Sequence, residues 1–131
     1  MKEATRRLLE KGKAAIHAAE VLLQADEVEF AAGRAYYAML YVAKGLLTEH
    51  GIRVGRKHSS VHAIFGERFA KPGVLDPKFH RWLIDAFDQR LLGDYEIEAT
   101  ITREQVQGII QQAREFLGAA VQYLETGGVV K

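Results

Sequence analysis

The chain has 131 residues, the length of one domain, which leaves no room for a barrel enzyme or for a doubly wound sheet with a second domain. Its residues are 48% hydrophobic and 27% charged, and 18 Lys and Arg against 17 Asp and Glu give a net charge of +1. Binding of nucleic acid through bulk charge is therefore excluded, while a local basic patch is not. Cysteine is absent, which removes disulfides, zinc ribbons, thiol redox chemistry and cysteine nucleophiles and points to a reducing compartment. The N-terminus carries charges throughout and has no apolar signal region, and no stretch reaches the roughly 20 apolar residues of a membrane span, so a cytoplasmic location is expected and a membrane partner is not.

Helical periodicity runs through nearly the whole chain. A first helix over about 2–24 places Leu8, Leu9, Ile16, Ala19, Leu22 and Leu23 on one face. Asp26 followed by Glu29 reads as an N-cap with its capping-box partner. A second helix over about 27–50 is apolar on two sides, Phe30, Tyr37 and Tyr41 on one and Tyr36, Met39, Leu40, Ala43, Leu46 and Leu47 on the other. That pattern predicts the central helix of a bundle, stopped by Gly51. Ser59 or Ser60 is expected to cap a short third helix carrying Val61, Ile64, Phe65 and Phe69. Asp76-Pro77 starts a fourth helix with Phe79, Trp82, Leu83, Ala86 and Phe87 on its apolar stripe, and Gly93 is read as its stop. Thr102 and Gln105 form a capping box for a fifth helix, which ends at Gly127-Gly128 before a frayed tail over 127–131. No segment alternates with period 2. The expectation is one all-α domain over 1–131, an up-and-down antiparallel bundle of four long helices plus one short one, with its core over about 5–125.

Three groups of residues carry candidate chemistry. Arg90 continues the apolar stripe of the fourth helix, so a permanent charge faces the bundle and needs either a partner or a polar groove; Asp94 and Tyr95 follow one turn later. A helix-end arginine paired with a carboxylate accounts equally for its position. The loop Arg53-Val54-Gly55-Arg56-Lys57-His58 gathers three cations and an imidazole ahead of a helix N-terminus, a setting that favours an anion, although short charge runs are often simply solvated. Arg34, Tyr37 and Tyr41 share one face of the second helix and could stack on bases or hold a phosphate; the same residues also suit an aromatic core with Arg34 paired to a carboxylate. His58 and His62 stand i, i+4, a weak metal signal without a third ligand, and Glu-x-x-His occurs nowhere. Neither metal nor cofactor is expected.

Taken in order, three strings resemble a known family. They are Gly33-Arg34-Ala35-Tyr36-Tyr37-Ala38-Met39-Leu40-Tyr41 with Ala43-Lys44-Gly45-Leu46-Leu47, then Lys57-His58-Ser59-Ser60-Val61 with Phe65-Gly66, then Arg90-Leu91-Leu92-Gly93-Asp94-Tyr95. With the closing helix around Ala113 and Phe116-Leu117, they resemble the HEPN superfamily, the higher eukaryotes and prokaryotes nucleotide-binding domains, over about residues 5–125. The resemblance implies a helical bundle, often a homodimer, frequently paired with a minimal nucleotidyltransferase in a toxin–antitoxin module. Many such toxins are metal-independent ribonucleases whose signature is an arginine, four to six residues, then a histidine. Arg90 matches the arginine, but Tyr95, Glu96 and Ile97 fill the window where the histidine would stand.

The absent histidine favours a module that binds nucleotide or RNA phosphates, or a nucleotidyltransferase partner, without cutting. Its groove would draw on Arg34, Tyr37, Arg53, Arg56, Lys57, His58, Arg90 and Asp94. The alternative is a ribonuclease toxin with Arg90, His58 and Tyr95 as its catalytic set, His58 replacing the missing histidine from another helix. A helical adaptor or dimerisation unit is the second alternative.

Overall fold

The computed structural model describes residues 1–95 and 101–127, with 91–95 described by backbone alone. The elements are α1 (Glu3–Gln24), α2 (Val28–Glu49), α3 (His58–Phe65), a π-helical turn (Gly66–Ala70) that continues α3, α4 (Lys78–Tyr95) and α5 (Arg103–Glu125). The chain is an all-α bundle of four long helices and one short one, with no strand among the described residues. No described helix is long and apolar enough to cross a membrane.

Directions follow from contacts at the helix ends. The backbone N–H of Lys2, just before α1, donates to Glu49 Oε1 at the end of α2 (2.8 Å), so α1 and α2 are antiparallel. Arg103 at the start of α5 donates to the Leu23 carbonyl (2.8 Å) and pairs with Asp26, which sets α5 against the end of α1. Lys78 at the start of α4 meets Glu115 in the second half of α5 (2.7 Å), so α4 runs opposite to α5. α2 packs against every other helix, as its two apolar sides require. Tyr36, Met39, Leu40, Val42, Leu46 and Leu47 are all at most 1% exposed. Phe116 fills the opposite wall, stacked on Phe79 at 5.1 Å and tilted on Phe65 at 5.4 Å.

Several caps behave as the sequence predicts. Gly51 (φ 71°) closes α2 with the Ile52 N–H returning to the Leu47 carbonyl and its own N–H to that of Thr48. Asp76 Oδ1 accepts from the Lys78 N–H (2.9 Å) ahead of α4. Thr102 and Gln105 exchange both bonds of a capping box (3.2 and 2.8 Å). Thr102→Ala is expected to destabilise the fold by about 1 kcal/mol, read as a lower denaturant midpoint at unchanged slope.

Other local expectations are corrected. Asp26 does not cap α2; it takes a left-handed conformation (φ 62°) and ends α1, the Glu27 N–H bonding the Leu22 carbonyl and the Asp26 N–H that of Leu23. The N-cap of α2 is Glu27, without a side-chain bond. Neither Ser59 nor Ser60 caps α3, because the helix starts earlier, at His58, with Lys57 in the N-cap position. Gly93 does not stop α4, which continues to Tyr95. Phe30 is 63% exposed and faces away from the core.

Candidate functional site

The sequence places Tyr36 and Tyr37 side by side on α2, so one ring enters the core and the next lies at its edge. Tyr36 is fully buried and Tyr37 partly so. α3 presents His58 and His62 one turn apart on one face. α4 presents Phe87 and Arg90 at i, i+3. These three faces meet. The Tyr36 hydroxyl lies 3.1 Å from His58 Nδ1 and 2.8 Å from His62 Nε2. Phe87 closes the box, 5.4 Å from the Tyr36 ring, 5.0 Å from His62 and 6.1 Å from His58 between centroids. The Tyr37 ring stands edge-on to His58 at 5.5 Å.

Two guanidinium groups share the Tyr37 ring. Arg34 lies 4.6 Å from its centroid and Arg90 5.3 Å, with Arg90 also 5.8 Å from the Tyr36 ring. Each is within cation–π range of the ring. The two guanidinium groups thus gather at one aromatic side chain, next to the histidines of α3. Gly33, beside them on α2, is not needed to make room for the Arg90 stem, since a Cβ there would meet Arg90 Cγ at an ordinary 4.0 Å.

The electrostatics keep this cluster neutral apart from the arginines. Burial pushes the Tyr36 hydroxyl far above its usual range, with Arg90 opposing and Tyr37 adding to the rise, so it stays protonated. His58 is lowered by burial and by the charges of Arg90 and Lys44. His62 is lowered to about 4 by burial, with His58 and His80 adding to the fall and Asp88 opposing it. A neutral imidazole beside a fixed guanidinium joins a proton acceptor to an anion holder, the two functions that displacement at a phosphorus centre calls for.

Beneath the cluster, the π-helical turn that continues α3 comes very close to α4 at Gly66. His80 Nε2 donates to the His62 carbonyl (3.1 Å), and a Cβ on Gly66 would stand 2.6 Å from that same nitrogen. Gly66→Ala must move the His80 ring and break this bond. A loss of about 1–3 kcal/mol is expected, measured as a drop in denaturant midpoint.

Of the residues singled out in the sequence, the fold brings Arg34, Tyr37, His58 and Arg90 to one place. Arg34 stacks on Tyr37 and forms no carboxylate pair among the described residues. Arg53, Arg56 and Lys57 are exposed on the loop leading to His58, and their side chains make no hydrogen bond or ion pair among the described residues. The side chains of Asp94 and Tyr95 lie outside the described residues. Sequence reasoning missed Tyr36 as the hydroxyl that joins the two histidines, treating it as core. It weighed the i, i+4 histidines against a metal, whereas their nitrogens converge on that hydroxyl. Phe87 and His80 gave no signal beyond their place on the α4 stripe and its neighbouring face.

This architecture has relatives. The chain matches the HEPN domain over residues 5–124. It is 29% identical over 130 residues to a Methanocaldococcus jannaschii protein named "Putative toxin MJ0142", covering 99% of this chain and 88% of that one. It is 30% identical over 118 residues to a UPF0332 protein of Gloeobacter violaceus, covering 89% of this chain and 93% of the relative. A UPF0332 protein of Thermotoga maritima is 32% identical over 107 residues, with 82% and 80% covered. The match takes in all five helices, from the first turns of α1 to the last turn of α5, and the chain belongs to the HEPN domain family.

Proposed function

We propose that this chain is a HEPN-type toxin module that cleaves an RNA phosphodiester, with Arg90 holding the phosphate charge and His58 accepting the proton of the attacking 2′-hydroxyl. The observation that carries this reading is the convergence of His58 and Arg90, from α3 and α4, on the Tyr36–Tyr37 pair of α2. The histidine lacking from the window after Arg90 then comes from another helix. The toxin name borne by a relative covering nearly the whole chain gives independent support.

The 2′-oxygen attacks phosphorus and its proton passes to His58. The bond to the 5′-oxygen breaks, and that oxygen leaves with a proton returned by the imidazolium or by solvent, giving a 2′,3′-cyclic phosphate and a 5′-hydroxyl end. Charge accumulates on the non-bridging oxygens during attack, which is where a guanidinium stabilises most. Arg34 adds a second cation, and the exposed Arg53, Arg56 and Lys57 suit the flanking backbone. The homodimer and the nucleotidyltransferase partner implied by the family supply the setting in which such an activity is held in check.

The test is incubation of purified protein, freed of any co-purifying inhibitor, with RNA in the presence of a chelator, followed by end analysis. Cyclic-phosphate ends produced only with Arg90 intact support the reading. RNA that is bound through Arg90 but left whole replaces it with phosphate binding without cleavage.

A further inference from the structure

The hydrogen bonds around Tyr36 contain more information than the proximity of His58 and Arg90. A tyrosine hydroxyl has one proton and two lone pairs, and here it meets two imidazole nitrogens, His58 Nδ1 at 3.1 Å and His62 Nε2 at 2.8 Å. With both rings neutral, one nitrogen must receive the hydroxyl proton and the other must carry a proton and donate it to the oxygen. The protons of the three groups are therefore ordered as a unit, and only two arrangements satisfy both contacts. Contact lengths separate them: an O–H donor prefers the shorter separation and an N–H donor the longer. The shorter contact is to His62.

We infer that Tyr36 and His62 are positioning residues that fix the tautomer of His58: Tyr36 donates its proton to His62 Nε2, and His58 donates its Nδ1–H to the Tyr36 oxygen. His58 Nε2 is then the bare nitrogen, and among the described residues it has no hydrogen-bond partner. The inference deepens the ribonuclease reading and rests on it for the role of that nitrogen, but the proton order itself does not depend on cleavage. Around the relay stand Tyr37 and Lys44 from α2 and His80, Phe87, Asp88 and Arg90 from α4. His80 also donates to the His62 carbonyl, which holds the first turns of α3 where the two rings reach the hydroxyl. A ring nitrogen's state is set by the bond its partner nitrogen makes, and here that bond leads to a fully buried hydroxyl.

The experiment is long-range proton–nitrogen NMR on the full-length, nitrogen-15-labelled protein at neutral pH. In the wild type, His58 is expected to show Nδ1 protonated and Nε2 bare, with His62 showing Nε2 bare. Tyr36→Phe is expected to release His58, moving its Nε2 resonance toward the N–H range. In a cleavage assay the same variant should lose roughly 10- to 100-fold in kcat with little change in KM, as when a group that orients another is removed. His62→Gln, whose side-chain oxygen can still accept the Tyr36 proton, should keep the His58 tautomer and recover most of the rate. A wild-type His58 protonated at Nε2 overturns the inference, and that measurement needs no variant to fold. Unchanged His58 resonances in folded Tyr36→Phe overturn it as well. Absence of Arg90-dependent cleavage with the expected tautomers removes the ribonuclease reading and leaves the proton order standing.

Discussion

Arg90→Ala is expected to lower kcat/KM for RNA cleavage by about 10²–10³-fold, the range seen when a group aimed at developing transition-state charge is removed. The loss should fall mainly on kcat, because Arg34 and the exposed loop cations remain to hold the ground-state phosphate. Arg90→Lys should recover only part of it. Lysine keeps the charge but loses the planar fork that spans two phosphate oxygens and lies against the Tyr36 and Tyr37 rings. His58→Ala is expected to cost a comparable factor, and the double variant little more than the worse single one, since the two groups serve one step. Circular dichroism should show the helices intact in each case, because neither residue belongs to the buried apolar core. Cleavage unchanged by Arg90→Ala would place the chemistry elsewhere on the molecule or in a contaminating nuclease. Simple additivity of the two losses would count against a shared step.

The fold was legible because most of its signals are local. The 3.6-residue periodicity, the Thr102–Gln105 box, the Asp76-Pro77 start and the Gly51 stop each act within a turn or two, and the structure keeps all of them. Asp26 failed for the opposite reason. Its spacing to Glu29 mimics a capping box, yet the end of α1 takes its backbone, and its carboxylate pairs with Arg103, far along the chain. The site divides along the same line. Arg90 was visible as a charge out of place on an apolar stripe, and His58 and His62 as a pair one turn apart. What unites them is a hydroxyl 22 and 26 residues earlier on α2, reached only when α3 docks. No spacing rule encodes that contact. Tyr36 looked like any other apolar position on a helix buried on two sides.

The same burial makes stability depend on pH. The folded chain holds His62 at about 4, whereas the unfolded chain leaves it near 6.5. The unfolded state therefore binds more protons in that interval, and stability rises with pH through it. The contribution is complete above about pH 6.5, falls as the solution is acidified, and is fully lost near pH 4. At 1.36 kcal/mol per unit of difference, the loss is about 3 kcal/mol, a large share of the margin of a domain this size. His58, lowered for the same reason and by the charges of Arg90 and Lys44, adds a loss of the same sign. Glu49 acts lower: held down chiefly by the Lys2 backbone N–H, it loses its contribution only as pH falls below 4.5. Urea unfolding at half-unit steps from pH 7.5 to 4 should thus show the midpoint falling above the range in which Glu49 acts. His62→Phe removes the titrating group and should flatten that fall, whatever it does to stability at pH 7, where the Tyr36 hydroxyl loses a partner. If the wild-type midpoint stays level between pH 6.5 and 5, His62 is not held neutral by its burial, and the neutral relay around Tyr36 loses its physical basis.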